Sequence, residues 1–380
     1  MNITRTLLIP IALLLPACSK AIASPAINPE PQLNTSQVTL TAVNPIANTP
    51  GPTLPSSPTR QPAIELLPAL QVITPGNARQ VRLLRTLNIP GYKPSSVSQC
   101  SISFSPDGNL LAGVCDYSPA PVWEVISGEL KYSLLDQPSH EVAVAFSPKG
   151  DVLVVAGFSG EIRLFDAITG EALEALAALP SQVWELAFNP VGEQLAASTF
   201  STGVFLTCFP HGELIWNHGE RGRVCMLSVA FSPDGTRLAA GGVATGVMLL
   251  EVESGKVTAE LPVPAPVGDL AYSPDGKWLA TGSDDNKIRL WDTTDNSLAE
   301  TLVGHTGFVN GVTFSPDGSL LISGSHDRKV GIWDFQTGQN LQFLEGHKDV
   351  VLRLAINPAG TLIASVSWDG TVKLWGVLAK

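Results

Sequence analysis

One pentapeptide recurs along this chain. FSPDG ends at Gly108, Gly235 and Gly318, and close variants are YSPDG at Gly276, FSPKG at Gly150, FNPVG at Gly192 and INPAG at Gly360. The leading residues are Phe104, Phe146, Phe188, Phe231, Tyr272, Phe314 and Ile356, separated by 42, 42, 43, 41, 42 and 42 residues. A near-constant spacing of about 40–45 residues marks an array of one repeated supersecondary unit. All seven copies keep Pro and Gly. Proline presets φ at the second position of a turn, and glycine accepts the left-handed conformation that closes a hairpin. Each copy is therefore expected to be a hairpin tip and not a ligand loop.

The flanks of the sixth copy carry four short strands. VNGVTF precedes the tip and LLISGS follows it. A polar turn at His326-Asp327-Arg328 then leads to a strand ending at Trp333, a turn at Gln336-Thr337-Gly338 and a last strand over 340–344. Turn signals at this spacing mark strands, and no long 3.6-residue periodicity competes with them.

A second marker sits nineteen residues after each leading residue: Trp123, Phe165, Thr207, Leu250, Trp291, Trp333 and Trp375. Trp291-Asp292 and Trp333-Asp334 are WD dipeptides, and Gly304-His305 and Gly346-His347 precede the sixth and seventh repeats. On these residues, residues 80–380 resemble the WD-repeat β-propeller family. The resemblance implies an all-β, seven-bladed propeller of four-stranded antiparallel blades. Only five residues follow Trp375, so the last blade lacks its outer strand. RLLRTL at 82–87 resembles the fourth strand of other repeats and is expected to complete that blade, which removes an open edge.

The resemblance also implies a hydrogen-bonded tetrad inside a blade. His305, Ser323, Asp327 and Trp333 supply it in the sixth repeat, and His347, Ser365, Asp369 and Trp375 in the seventh. Thr281, Asp285 and Trp291 remain in the fifth, without a histidine. The first four repeats have Tyr117, Ser159, Ser201 and Ala244 in place of the aspartate, so their blades must close mainly by apolar packing. A His, a Ser and an Asp together suggest a catalytic triad. Their recurrence blade by blade fits a structural role, because buried polar groups need partners.

The N-terminus differs. Residues 7–15 are apolar apart from Pro10, too few to span a bilayer, which takes about 20 residues. They fit a secretory signal with two cuts open. Leu15-Pro16-Ala17-Cys18 resembles a bacterial lipoprotein box, with cleavage leaving residues 1–17 as signal and lipid on Cys18. Ala21-Ile22-Ala23 fits ordinary cleavage after residue 23. Residues 18–75 read as a disordered linker rich in Pro, Ser, Thr and Asn, with eleven prolines between 24 and 79. The propeller follows over 76–380. The segment 63–73 is more apolar and able to dock on it, and residues 74–77 suit a short helical turn. The expected location is extracytoplasmic, membrane-anchored through the lipid alone, with a secreted soluble domain as the alternative.

Of five cysteines, Cys100 and Cys115 flank the first tip. A register pairing Phe104 with Leu111 sets them opposite each other, so a cross-strand disulfide and two separate buried thiols are both open. No bond is expected between Cys208 and Cys225. No cysteine has zinc spacing.

No phosphate loop, nucleophile elbow or His-Glu-x-x-His motif occurs, so no catalytic residue, metal or cofactor is assigned. The carboxylates Asp284, Asp285, Asp292 and Asp295 lie on separate turns. Glu185, Asp269 and Arg353 share one inner-strand position and are expected to balance charge around a water-filled channel. The net charge of −11 argues against nucleic acid. The expected function is a non-catalytic, monomeric platform that binds a protein or peptide. An enzyme or small-ligand receptor using the channel is the alternative. In a propeller the turn between strands two and three and the loop before strand one share a rim. The residue twelve past each leading residue falls on that turn: Asp116, Phe158, Phe200, Val243, Asp284, His326 and Trp368. With the nearby His140, Trp184, Phe308 and Asn310, they define the candidate contact face. Phe158, Phe200 and Trp368 are its anchors, unless they serve as packing lids.

Overall fold

The computed structural model describes residues 66–92, 99–134, 140–176, 178–219, 225–243 and 246–379. The signal, Cys18 and most of the linker lie outside the described residues. The chain from Glu65 to Lys380 is a single compact unit. It is a seven-bladed β-propeller of antiparallel sheets, and its only helical element among the described residues is one 3-10 turn, Ala78–Gln80.

Blade six shows the plan. Its strands Val309–Phe314, Leu320–Ser325, Val330–Asp334 and Asn340–Leu344 pair in sequence order. The second strand is buried at every position, because blades pack on both of its faces. Outer strands are open: in Leu298–Val303 of blade five only Leu302 is buried. Blade two departs from the plan. Three strands form a sheet, and its fourth edge makes only the isolated bridges Ile162↔Leu176 and Phe165↔Ala172.

Closure follows from the ends. Arg82–Asn88 runs antiparallel to Thr371–Leu378, pairing Leu87 with Val372. Leu87 then joins one core cluster with Ile102, Phe104 and Trp123 of blade one and Val366 and Leu374 of blade seven. The core consists of seven such clusters, each in a seam between adjacent blades. No blade can bury its faces alone, so the free energy of burial depends on the ring being closed.

The packed body starts before residue 76. Leu67 and Leu70 pack on the seam of blades seven and one, Ile73 and Ala78 are fully buried, and Leu70–Gln71 pairs with the end of the last strand. Asn77 Oδ1 accepts the Thr74 N–H and its side-chain amide donates to Val72 O, which folds this segment into the turn before the closing strand.

The repeated pentapeptide builds a second closed circle. The tip glycines have φ between 67° and 75°. In four tips Ser Oγ donates to the aspartate two residues on, as Ser315 does to Asp317 at 2.6 Å. Each glycine lies against the proline of a neighbouring tip: Gly150 on Pro106, Gly192 on Pro148, Gly235 on Pro190, Gly276 on Pro233, Gly318 on Pro274, Gly360 on Pro316 and Gly108 on Pro358. A Cβ there would sit at 3.1–3.7 Å from the proline, mostly ordinary contact. Conformation more than space therefore demands glycine. Seven hairpin tips thus interlock around one end of the channel.

Candidate functional site

The opposite rim is built by one backbone bond repeated seven times. The N–H of the residue twelve past each leading residue donates to a carbonyl just before the inner strand. The pairs are Asp116 to Gln99, Phe158 to His140, Phe200 to Gln182, Val243 to Cys225, Asp284 to Pro266, His326 to Phe308 and Trp368 to Val350. Strand alternation fixes which side chains these turns present, so turn and loop residues converge on a single surface.

Aromatic rings occupy two stretches of it. Tyr117, His140, Phe158, Trp184 and Phe200 form an unbroken run across blades one to three, with successive centroids 4.4, 5.7, 5.8 and 5.8 Å apart. Phe308, His326 and Trp368 form a second run at 4.9 and 5.7 Å. Phe200 is 48% exposed and Phe308 and Tyr117 are each 43% exposed. Phe158, Trp184, His326 and Trp368 are half-buried. Trp368 also packs on the seam of blades seven and one, so it is partly a packing group. Trp184, Asp284, Phe308, His326 and Trp368 together line a cup of about 350 Å³ at the channel mouth, with Asn310 and Arg353 deeper in its wall. Burial pushes the Asp284 carboxyl up and the His326 imidazole down. His140 Nδ1 lies 3.0 Å from the buried carboxylate of Asp116, and burial raises Asp116 despite that partner.

Arg353 blocks the channel below the cup. Its Nη1 donates to Asn310 O at 2.6 Å and to Leu352 O, and its Nη2 reaches Leu227 O on blade four. Its Nε lies 3.9 Å from Glu185. Asp269 accepts from Ser228 Oγ and from the N–H groups of Leu270 and Val312, and Glu185 accepts from Val229 N–H. Burial, with the charge of Asp269, raises Glu185 to about 7 against the pull of Arg353. Arg353 thus reaches from blade seven to backbone carbonyls of blades six and four across a channel of about 510 Å³, which Glu185 and Asp269 also line. Their principal polar atoms are engaged with the protein, as buried polar groups require.

The blades beneath the rim are held in different ways. In blade six Trp333 Nε1 donates to Ser323 Oγ at 2.8 Å, Ser323 Oγ lies 2.7 Å from His305 Nε2, and His305 Nδ1 lies 2.8 Å from Asp327. Blade seven repeats this with Trp375, Ser365, His347 and Asp369 at 2.8, 2.7 and 2.9 Å. A proton order running Trp to Ser to His to Asp satisfies every group. Blade five substitutes a cation that the repeat pattern hides. Arg289, buried on strand three, pairs with Asp285 through both guanidinium ends, while Trp291 donates to Thr281 at 3.1 Å. Blade two has Arg163 at the same repeat position, 3.5 Å from the buried Glu141. In blade one Cys100 and Cys115 are joined by a disulfide between directly paired residues. Cys225 is a free thiol, raised by burial. Among the described residues no group of three metal-ligating side chains converges, and no helix is long and apolar enough to cross a membrane.

Four stretches match the WD domain, G-beta repeat family model. They are residues 128–166, 255–292, 296–334 and 338–376. Each runs from the outer strand of one blade through three strands of the next, the same offset that makes residues 82–88 complete blade seven. The chain is also similar to a Periodic tryptophan protein 2 homolog of Dictyostelium discoideum, 44% identical over 43 residues, which are 11% of this chain and 5% of that protein. It is 46% identical over 59 residues to a Probable cytosolic iron-sulfur protein assembly protein 1 of Cryptococcus neoformans, covering 13% of each. The chain thus spans a small fraction of the length of these relatives, and the likeness extends to little more than one repeat.

Proposed function

We propose that this propeller is a non-catalytic platform that captures a protein or peptide on its aromatic rim, working as a monomer outside the cytoplasm on a lipid tether at Cys18. The unbroken aromatic run from Tyr117 to Phe200 carries the reading. Aromatic side chains bring large contact area at low entropic cost, and they dominate the energetic centres of interfaces. The other rim ends in interlocked Pro–Gly tips, with no comparable run among the described residues. Asp284 and His326 add polar groups beside the second run and would set orientation. The disulfide in blade one supports an oxidising compartment, since such bonds rarely persist in the cytosol.

The exposed members give the cleanest test. Phe200→Ala with Phe308→Ala should weaken partner capture at least tenfold, about 1.4 kcal/mol, with the thermal midpoint nearly unchanged. A loss of stability with capture intact would return these rings to packing. Trp368→Ala should cost both binding and stability, because its ring also covers the seam. For the tether, Cys18→Ser should release the protein from membranes or leave its precursor uncleaved. Unchanged membrane fractionation with normal processing would favour cleavage after Ala23 and a secreted domain.

A further inference from the structure

The seams between blades end, on the tip side, in notches, and side chains of one blade reach into most of them to meet the next. From blade seven to blade one, Arg85 lies over Gly128 and donates to Ile126 O at 2.9 Å. From one to two, Tyr132 lies over Gly170 and donates its hydroxyl to Ala167 O. From two to three, Leu176 covers Gly212. From three to four, Trp216 lies over Gly255 and donates to Val252 O at 2.7 Å. From four to five, Arg237 donates to the equivalent carbonyl, Thr293 O, at 2.7 Å, and a polar cavity of about 480 Å³ remains beside it. From six to seven, Gln342 Nε2 donates to Val81 O, and Leu70–Gln71 lies along the last strand.

The notch between blades five and six breaks this series. Glu300 pairs with Leu290 as Tyr132 pairs with Val122 and Trp216 with Leu206. Its carboxylate lies over Gly338 where the others place a ring. A cavity of about 540 Å³ remains, lined by Trp278, Leu290, Ala299, Glu300, Phe335 and Gln336. Its aromatic wall is fixed from behind, with Trp278 and Phe314 both edge-on to Phe335 at 5.8 and 5.1 Å. By repeat position Phe335 O corresponds to Ala167 O, Val252 O and Thr293 O, and among the described residues no side chain donates to it.

We propose that this notch is a docking slot for a tryptophan- or tyrosine-bearing segment of a partner protein. Three observations select that occupant. Two of the equivalent notches hold rings, Trp216 and Tyr132, at the strand position that Glu300 takes here, so a notch of this build accepts an aromatic ring. Phe335 O and the Glu300 carboxylate are acceptors, and the Gln336 amide can accept or donate, so an incoming ring that donates, as indole N–H and phenol O–H do, finds partners there. Finally, an extended segment of this chain, Leu70–Gln71, pairs with the tip-side end of the last strand, which shows that a strand can be accommodated on this side of the propeller. The chain cannot supply the ring from its undescribed residues, because none of them is Phe, Trp or Tyr. The slot lies on the tip side, away from the aromatic rim, so it does not rest on the rim reading.

The test uses N-acetyl-tryptophanamide as the probe, with saturation-transfer NMR on the folded propeller. The probe should bind with a Kd on the order of 1 mM. Glu300→Trp, which fills the notch in the manner of blade three, should weaken binding at least tenfold. Glu300→Tyr is the second variant and should do the same. Trp368→Ala, on the other rim, should leave it unchanged, which separates failure here from failure of the rim reading. Equal binding to wild type and both filled variants would overturn the proposal. So would equal binding of N-acetyl-leucinamide, or no binding of the tryptophan probe at all.

Discussion

Blades five to seven and blades one to four solve the same packing problem by different chemistry. The late blades pin strand to strand with buried polar groups: two Trp–Ser–His–Asp relays and, in blade five, Arg289 against Asp285. The early blades have no complete relay. They rely on apolar seams, on the Arg163–Glu141 pair and on one disulfide. The difference extends to the rim. Where blades six and seven have Asp327 and Asp369 anchoring the turn, blades two and three have Ser159 and Ser201, and the residues beside these are the rings Phe158 and Phe200. A turn released from the relay is free to present an aromatic group. Aromatic rim groups are not confined to those blades, since His326 and Trp368 stand beside the relay aspartates of blades six and seven, but the longest run lies where the relay is missing.

The sharpest way to break this comparison is to open the ring. Deleting the chain through Leu87 removes the closing strand and exposes the seam of blades seven and one. The expected loss exceeds ~5 kcal/mol, comparable with the total stability of a domain, and should appear as aggregation or a collapsed thermal midpoint. A truncation to residue 65 should melt like the full chain, because it keeps Leu67 and Leu70, the first contacts with the core among the described residues.

Next comes the relay itself. His347→Ala leaves Ser365 and Asp369 buried without their partner and should cost about 3 kcal/mol. Ser201→Ala, at the matching aspartate position of blade three, should stay within about 0.5 kcal/mol. Equal costs in urea melts would erase the distinction between late and early blades. The disulfide is the early counterpart. Cys100→Ala with Cys115→Ala opens a loop of sequence separation 15, worth about 3 kcal/mol in the chain-entropy view. Its loss should lower stability without altering the late relays, as read from the Trp333 and Trp375 indole N–H resonances.

Titration separates the two regions by sign. In the late blades burial alone would raise Asp327 and Asp369. Their hydrogen bonds from His305, and from His347 and Thr371, outweigh it and hold both below the usual carboxylate range. That stability is present above the unfolded pKa near 3.8 and is lost as pH falls through the folded value. Asp369→Asn should flatten this acid limb. In the channel the sign reverses. Glu185, raised to about 7, binds its proton more tightly when folded. Stability should fall as pH rises from about 4.5 to about 7, and Glu185→Gln should remove that decline.

Much of the fold was legible because its signals are local and repeated. The Pro–Gly tips, the WD dipeptides and the strand over 82–87 each depend on a few adjacent residues. The interlocking of tips was not legible, since Pro106 and Gly150 meet only in the closed ring. Arg289 was hidden for a different reason: it sits on strand three and does the work of a histidine that comes from the loop before strand one, so the family's residue types do not point to it. The rim turns could be placed by counting twelve residues from each leader. That Phe158, Trp184 and Phe200 join Tyr117 and His140 in one run depends on blade curvature, which spacing does not reveal. The notch at Glu300 was equally silent, because a missing ring leaves no motif.

The central claim is that the aromatic rim of the early blades is the contact face. Site-specific photocrosslinking tests it most directly, with p-benzoylphenylalanine placed at position 200 and, as a control, at position 234 on a hairpin tip. The account predicts a discrete higher-mass adduct from position 200 and none from position 234. Adducts from position 234 alone, or none from position 200 in cells where the protein is intact, would contradict it.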